Sequence, residues 1–280
     1  MSRLLSADFA RLKKNKFFWI CTAGIFLLGI FMAAMHYIAM QEYGENAPQL
    51  TNILFVYALV IVFLIPAFDS LFTGTEYSDG TIRNKLIIGH TRTCIYLSNL
   101  VVCSVAGMAF CISYIVGALA VGIPLYSIDT SILKGIVILI LCSLVMSAAF
   151  TALCTLTAML CQNKALTAVV NILAACFLLV ASIYVMNKLT APETLPMVVT
   201  NDSGIVTEVK EEPNPAYIEE GTERDIYQFI NDFLPTGQAV SISQGGGIAQ
   251  SPGLLAAYSA CIIILSTGIG MFAFKKKDIK

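Results

Sequence analysis

The sequence predicts an all-α polytopic membrane protein with six transmembrane helices. Three observations carry that expectation. Charged residues make up only 12 % of the 280-residue chain and hydrophobic residues 57 %, whereas soluble domains carry about 25 % charged residues. So few charges cannot cover the surface of a soluble protein of this size, so its solvent is lipid. Six stretches, 17–40, 52–72, 95–122, 132–160, 165–186 and 254–274, are apolar enough and long enough to cross the bilayer, which takes about 20 apolar residues per helix. Finally, 13 of the 17 basic residues fall on one side of a six-span layout and 13 of the 18 acidic residues on the other. A wrong span count scrambles that partition.

The elements follow in order. Residues 1–16 read as an amphipathic interfacial helix, with Leu4, Leu5, Phe9 and Leu12 on one face and Arg11, Lys13 and Lys14 off it. Such a helix lies on an anionic leaflet. The first run, 17–40, lacks a small-residue cleavage site and is too long for a signal peptide, so it reads as a retained span. A short acidic loop, 41–51, follows. The second run holds Pro66, which kinks or interrupts it, and Asp69 in its last turn.

Segment 73–93 connects the second and third runs. Asp79 or Thr81 can cap a short helix there and Gly89 can end it. Ile82 and Leu86 share one face, widened by Ile87 and Ile88, so the helix is apolar on one side. It either docks a partner or packs on the chain's own spans. The fourth run carries Ser143, Ser147, Thr151 and Thr155 at i+4 spacing. That hydroxyl ridge serves either close helix packing or a polar line along a substrate path.

Residues 187–253 form the only sizeable segment outside the bilayer, with α and β character. Two β-rich runs between Pro196 and Lys210 flank a Gly-bearing turn and read as a hairpin. Residues 223–234 are amphipathic at helical spacing, and Pro235 ends that helix. Gln244 to Gly247 is a flexible lead into the sixth span.

Direction follows from Lys and Arg. Arg3, Arg11, Lys13, Lys14, Lys16, Arg83, Lys85, Arg92, Lys164 and the 275–280 tail share one side. By the positive-inside rule that side is the cytoplasm, with both termini in it, and 187–253 is extracellular. The net charge of −1 suggests no nucleic-acid partner.

Several chemistries have no signal. No G-x-x-x-x-G-K-[ST], H-E-x-x-H or G-x-S-x-G motif occurs, so no catalytic residue is assigned. His36 and His90 fall on opposite sides of the layout, and none of the nine cysteines forms C-x-x-C, so no metal ligand is assigned. Ionisable residues avoid the middle of every run, Lys134, Lys188 and Asp69 lying within a few residues of an end. Ion-coupled carriers need buried acids or broken helices at mid-membrane. Any path through the chain therefore suits an apolar or amphipathic cargo.

The segment Glu76-x-x-x-Gly80-Thr81-Ile82-Arg83-x-x-Leu86, followed by Gly89-x-x-Arg92, resembles the permease subunit of type-2 ABC exporters, bacterial six-span chains that work with a separate ATPase. The layout is similar over the whole chain, and Asn214 to Ile218 with Asp232 to Gln238 resembles the external loop of Gram-positive members. The resemblance implies a transport subunit without its own catalytic site. It implies an ABC ATPase as partner, ATP and Mg bound there and not by this chain, and a second copy or a paralogous permease. It makes Glu76, Gly80, Thr81, Ile82, Arg83, Leu86, Gly89 and Arg92 the ATPase-coupling set, with Glu76 and Arg83 as polar contacts and Ile82 and Leu86 as apolar anchors. Peptide antibiotics and lipids are among the cargoes such a path suits. A non-transporting membrane sensor or immunity partner of an ATPase shares the same layout.

Overall fold

The computed structural model describes residues 1–43, 53–125, 130–200, 206–245 and 251–277. Most of the acidic loop 41–51, the turn at 201–204, Gly246, Gly247 and the last three residues of the tail lie outside them.

Helix α1 (Ser2–Lys14) precedes six long helices: α2 (Lys16–Tyr43), α3 (Tyr57–Ser78), α5 (Arg92–Leu125), α6 (Thr130–Cys161), α7 (Lys164–Leu189) and α10 (Pro252–Lys276). Each of the six is long and apolar enough to cross a membrane. In lipid every backbone polar group must be satisfied within the segment, and these continuous helices do that. Between them lie the short α4 (Thr81–Ile87), an antiparallel hairpin of β1 (Thr194–Thr200) and β2 (Val206–Pro213), and the helices α8 (Thr222–Phe233) and α9 (Pro235–Ser243). The fold is an all-α polytopic membrane protein.

The core lies among α3, α5 and α6. Phe68 packs against Phe18, Phe72 and Phe110, and Tyr57 against Tyr114, with ring centroids 5.3–6.1 Å apart. Helix α2 packs along α5 through two glycines. A Cβ at Gly29 would run into the backbone of Tyr114, and one at Gly117 into the backbone of Phe26. Small residues let membrane helices approach until their backbones touch. Gly29→Leu is therefore expected to cost about 1–3 kcal/mol by overpacking, read as a lower unfolding temperature in detergent. Gly24→Leu, where a Cβ meets nothing within 4 Å, should leave it unchanged.

Two sequence expectations need correction. Helix α3 runs unbroken through Pro66 to Ser78, so residues 73–78 extend the second span instead of opening a loop. Asp69 consequently sits mid-helix and fully buried. Thr73 donates to its Oδ1 at 3.1 Å, and Cys103 and Thr155 face the same carboxyl. The second correction concerns Pro235, which ends α8 but also starts α9.

Helix α9 is buried from Pro235 to Ile242 and wedges among α3, α6 and α7. Its polar side chains are paired. Gln238 donates to the Leu255 carbonyl at 3.2 Å and accepts from Ser259 at 2.7 Å. Thr236 and Ser182 share a hydrogen bond of 2.8 Å.

The two ends of the bundle differ. At one, Leu4 of α1, Ile82 of α4, Tyr96 of α5 and Phe274 of α10 pack in one cluster. This gathers both ends of the chain and is termed the basic end. The hairpin and α8 lie at the other, acidic end.

Candidate functional site

The basic end is organised around α4. Gly80 precedes it with φ +67°, a conformation that suits glycine. Gly89 follows it with φ +99°. The N–H of His90 donates to Lys85 O at 3.1 Å and that of Gly89 to Leu86 O at 3.0 Å, which is the Schellman way of ending a helix. Neither Asp79 nor Thr81 supplies a side-chain cap.

Seven residues make about two turns, so α4 has an inner and an outer face. Ile82 and Lys85 turn inward, 1 % and 8 % exposed. Arg83 and Asn84 face outward, together with Ile87 and Ile88, which are 76 % and 77 % exposed. Thr81 and Leu86 lie between, and Leu86 packs on the Leu4–Ile82–Phe274 cluster. Ile82 and Leu86, which the resemblance made apolar anchors for the ATPase, thus take the other course the sequence left open and pack on the chain's own helices. The free apolar surface is Ile87–Ile88.

Behind α4 lies a buried ion cluster. Glu76, in the last turn of α3, pairs with both Arg11 and Lys85, and Asn99 donates to its other oxygen at 2.8 Å. Lys85 also reaches Asp8 at 2.8 Å, and Ser98 donates to Asp8 at 2.6 Å. The Glu76 side chain is fully buried and Asp8 nearly so, while Arg11 is 28 % exposed and lies over the Phe72 ring at 3.8 Å. Two carboxylates face two cations, so the cluster is neutral and each charge has its counter-ion. Buried charges persist only under such pairing. Glu76 is therefore an internal brace and not a surface contact.

The same pairing fixes α1. Its Leu4, Asp8 and Leu12 are buried because they face the protein; the sequence had assigned the apolar face to lipid. The Arg11 side chain, read there as lying off the packed face, joins the cluster. Arg3, Lys13 and Lys14 remain exposed.

Arg92 opens α5 and reaches across to the end of α10, donating to the Phe274 carbonyl at 3.1 Å and to that of Lys277. Lys277 in turn donates to Leu160 O in the last turn of α6, and Tyr77 donates to Met159 O at 2.7 Å. Cations at helix C-termini satisfy carbonyls that have no intrahelical partner. Through these bonds the ends of α3, α5, α6 and α10 share one set of fasteners. Arg92→Ala should leave the bundle folded and speed amide hydrogen exchange over the last turn of α10, with α5 unaffected.

The hydroxyl ridge of α6 is fully buried. Ser143, Ser147 and Thr151 donate to carbonyls of their own helix at 2.7–2.8 Å, Ser143 also bonds Tyr57, and a Cβ at Gly107 would lie 3.2 Å from Thr151 Oγ1. Thr155 ends the ridge beside Asp69. In this arrangement the ridge is a seam between α6, α3 and α5.

A family model described as ABC-2 family transporter protein matches residues 4–182, from the first turn of α1 to about two turns short of the end of α7. The match covers well over half of the chain, and the chain belongs to that family. It is a membrane permease subunit of an ABC transporter. No curated protein matches the chain.

The sequence pointed to α4 but missed its braces. A usable signal was present in the charge partition. Asp8 and Glu76 are acids stranded on the basic side, and both proved buried and paired.

Proposed function

We propose that the chain is the membrane half of an ATP-driven exporter, that its basic end is cytoplasmic, and that a separate ABC ATPase docks there on the tip of α4. One observation carries the reading. The pair Ile87–Ile88 is the exposed apolar tip of a helix whose other face is bolted to α1 and α3 by buried ion pairs, with α5 tied to the same carboxylates by hydrogen bonds from Ser98 and Asn99. A tip without such bracing would deflect under load. With it, a push on Ile87–Ile88 reaches the ends of four spans. Arg83, outward on the same helix, supplies a polar contact.

ATP and Mg are bound by the partner, and a second six-span copy or a paralogous permease completes the transporter in a bacterial plasma membrane. Away from the helix ends, ionisable side chains within the spans are few, and Asp69 among them is buried. The cargo is accordingly apolar or amphipathic, of the kind of a lipid or a peptide antibiotic.

Reconstitution in liposomes with a P-loop ABC ATPase that co-purifies with the chain tests the reading. ATP hydrolysis that rises with an added fluorescent phospholipid, together with ATP-dependent movement of that lipid between leaflets, is the expected result. A stable complex whose hydrolysis responds without any movement of cargo would assign the chain the sensor role instead.

A further inference from the structure

Beneath the α8–α9 corner, at the acidic end, a groove of about 300 Å³ opens between α6, α7 and α10. Leu153, Leu178, Ile262 and Leu265 form its walls, and Phe233 and Pro235 its roof. The one polar residue on its lining, Ser266, spends its hydroxyl on the Ile262 carbonyl at 2.6 Å. An occupant is therefore offered no side-chain hydrogen-bond donor, and the other lining residues are all apolar, which suits hydrocarbon.

Position selects the kind of hydrocarbon. The walls belong to three membrane-spanning helices, and Leu265 and Ile269 are 54 % and 60 % exposed at the side, so the groove opens toward the lipid. Its roof carries an aromatic group in which Phe233 stacks on Phe229 at 5.5 Å and both meet Tyr258 edge-on. Tyrosines such as Tyr258 collect at the level of the headgroups. Helix α8 also leaves Ile226 and Phe229 about half exposed, the orientation of an amphipathic helix lying in the interface. The roof is fixed by the Thr236–Ser182 and Gln238–Ser259 hydrogen bonds, so the overhang is a built feature. The volume sits at the lower limit of ligand pockets, about 300–1,000 Å³, enough for one chain and not for a whole amphiphile.

We propose that this groove is a binding site for a single acyl chain, entering from the leaflet at the acidic end and held beneath the α8–α9 corner. The site is independent of ATPase docking at the opposite end.

Native mass spectrometry of the full chain in detergent, with palmitoyl-oleoyl phosphatidylglycerol or palmitic acid added, tests it. The wild-type chain should retain one molecule of either probe after loosely bound lipid is stripped. Leu265→Trp, which fills the groove, should lose it. Ile264→Trp, one residue away and 71 % exposed, should keep it. Leu178→Trp fills the groove from the opposite wall and should repeat the loss. No retained probe, equal loss in both α10 variants, or dissociation of a dimer by Leu265→Trp with the lipid count unchanged overturns the proposal. The last outcome would hand the groove to a second copy.

Discussion

Replacing Ile87 and Ile88 together with aspartate should strip the chain of its ATPase while leaving its own fold intact. Both side chains are more than three-quarters exposed, so the substitution disturbs no internal packing. Burying two isoleucines in a partner groove contributes about 3 kcal/mol or more, and each 1.4 kcal/mol is tenfold in affinity. The expected loss in affinity is roughly a hundredfold or greater, read as disappearance of the ATPase from a pull-down at unchanged yield of the membrane subunit. Ile82→Asp should behave differently. Ile82 is 1 % exposed among Leu4, Tyr96 and Phe274, so a carboxylate there destabilises the chain itself and lowers the yield of both proteins. A complex that survives Ile87→Asp/Ile88→Asp sinks the docking surface proposed above.

Glu76→Ala should be the most damaging single change at the basic end. It leaves Arg11 and Lys85 without their shared counter-ion in a site where the Glu76 side chain is fully buried. Removing one partner of a buried ion pair costs about 3–5 kcal/mol, which thermal unfolding in detergent would report. Lys85→Met should be costly for the same reason, because it strands Asp8 and removes one of the two cations that face Glu76. The double variant Glu76→Ala/Lys85→Met should cost less than the two single changes added, since each then removes a charge that the other left unpaired. Strict additivity would mean that the two side chains do not act as one unit.

The six long helices were legible because lipid imposes a simple rule, a run of about 20 apolar residues, that the sequence states openly. The short helix within 73–93 was legible because Asp79 and Thr81 offered a start and Gly89 an end, although Gly80 and not a side-chain cap makes the start. What the sequence hid was the direction each face takes. Ile82 and Ile87 are equally apolar, and only the packing of Leu4 and Phe274, from the two ends of the chain, decides which is covered. Helix α9 was hidden for a related reason. Buried on all sides, it has no amphipathic period, and its Thr236, Gln238 and Ser241 read as loop residues until their partners are known. Asp69 looked terminal because the apolar run stops near Phe72, while the helix continues for six more residues with Thr73, Thr75 and Glu76 inside the protein. Polar residues paired with other parts of the chain end a hydropathy signal without ending a helix.

The buried ion cluster also imposes an order on biogenesis. Arg11 meets Glu76 across 65 residues, Asp8 meets Lys85 across 77, and Ser98 meets Asp8 across 90. A ribosome therefore delivers the first helix long before any of its partners, and the cluster closes only after the third long helix has begun to emerge. Until then Asp8 and Arg11 stay hydrated. A chain stalled or cleaved before that point exposes two charges and an uncovered apolar stripe at its beginning. The contact that stiffens the finished protein thus separates chains that have passed the third long helix from those that have not.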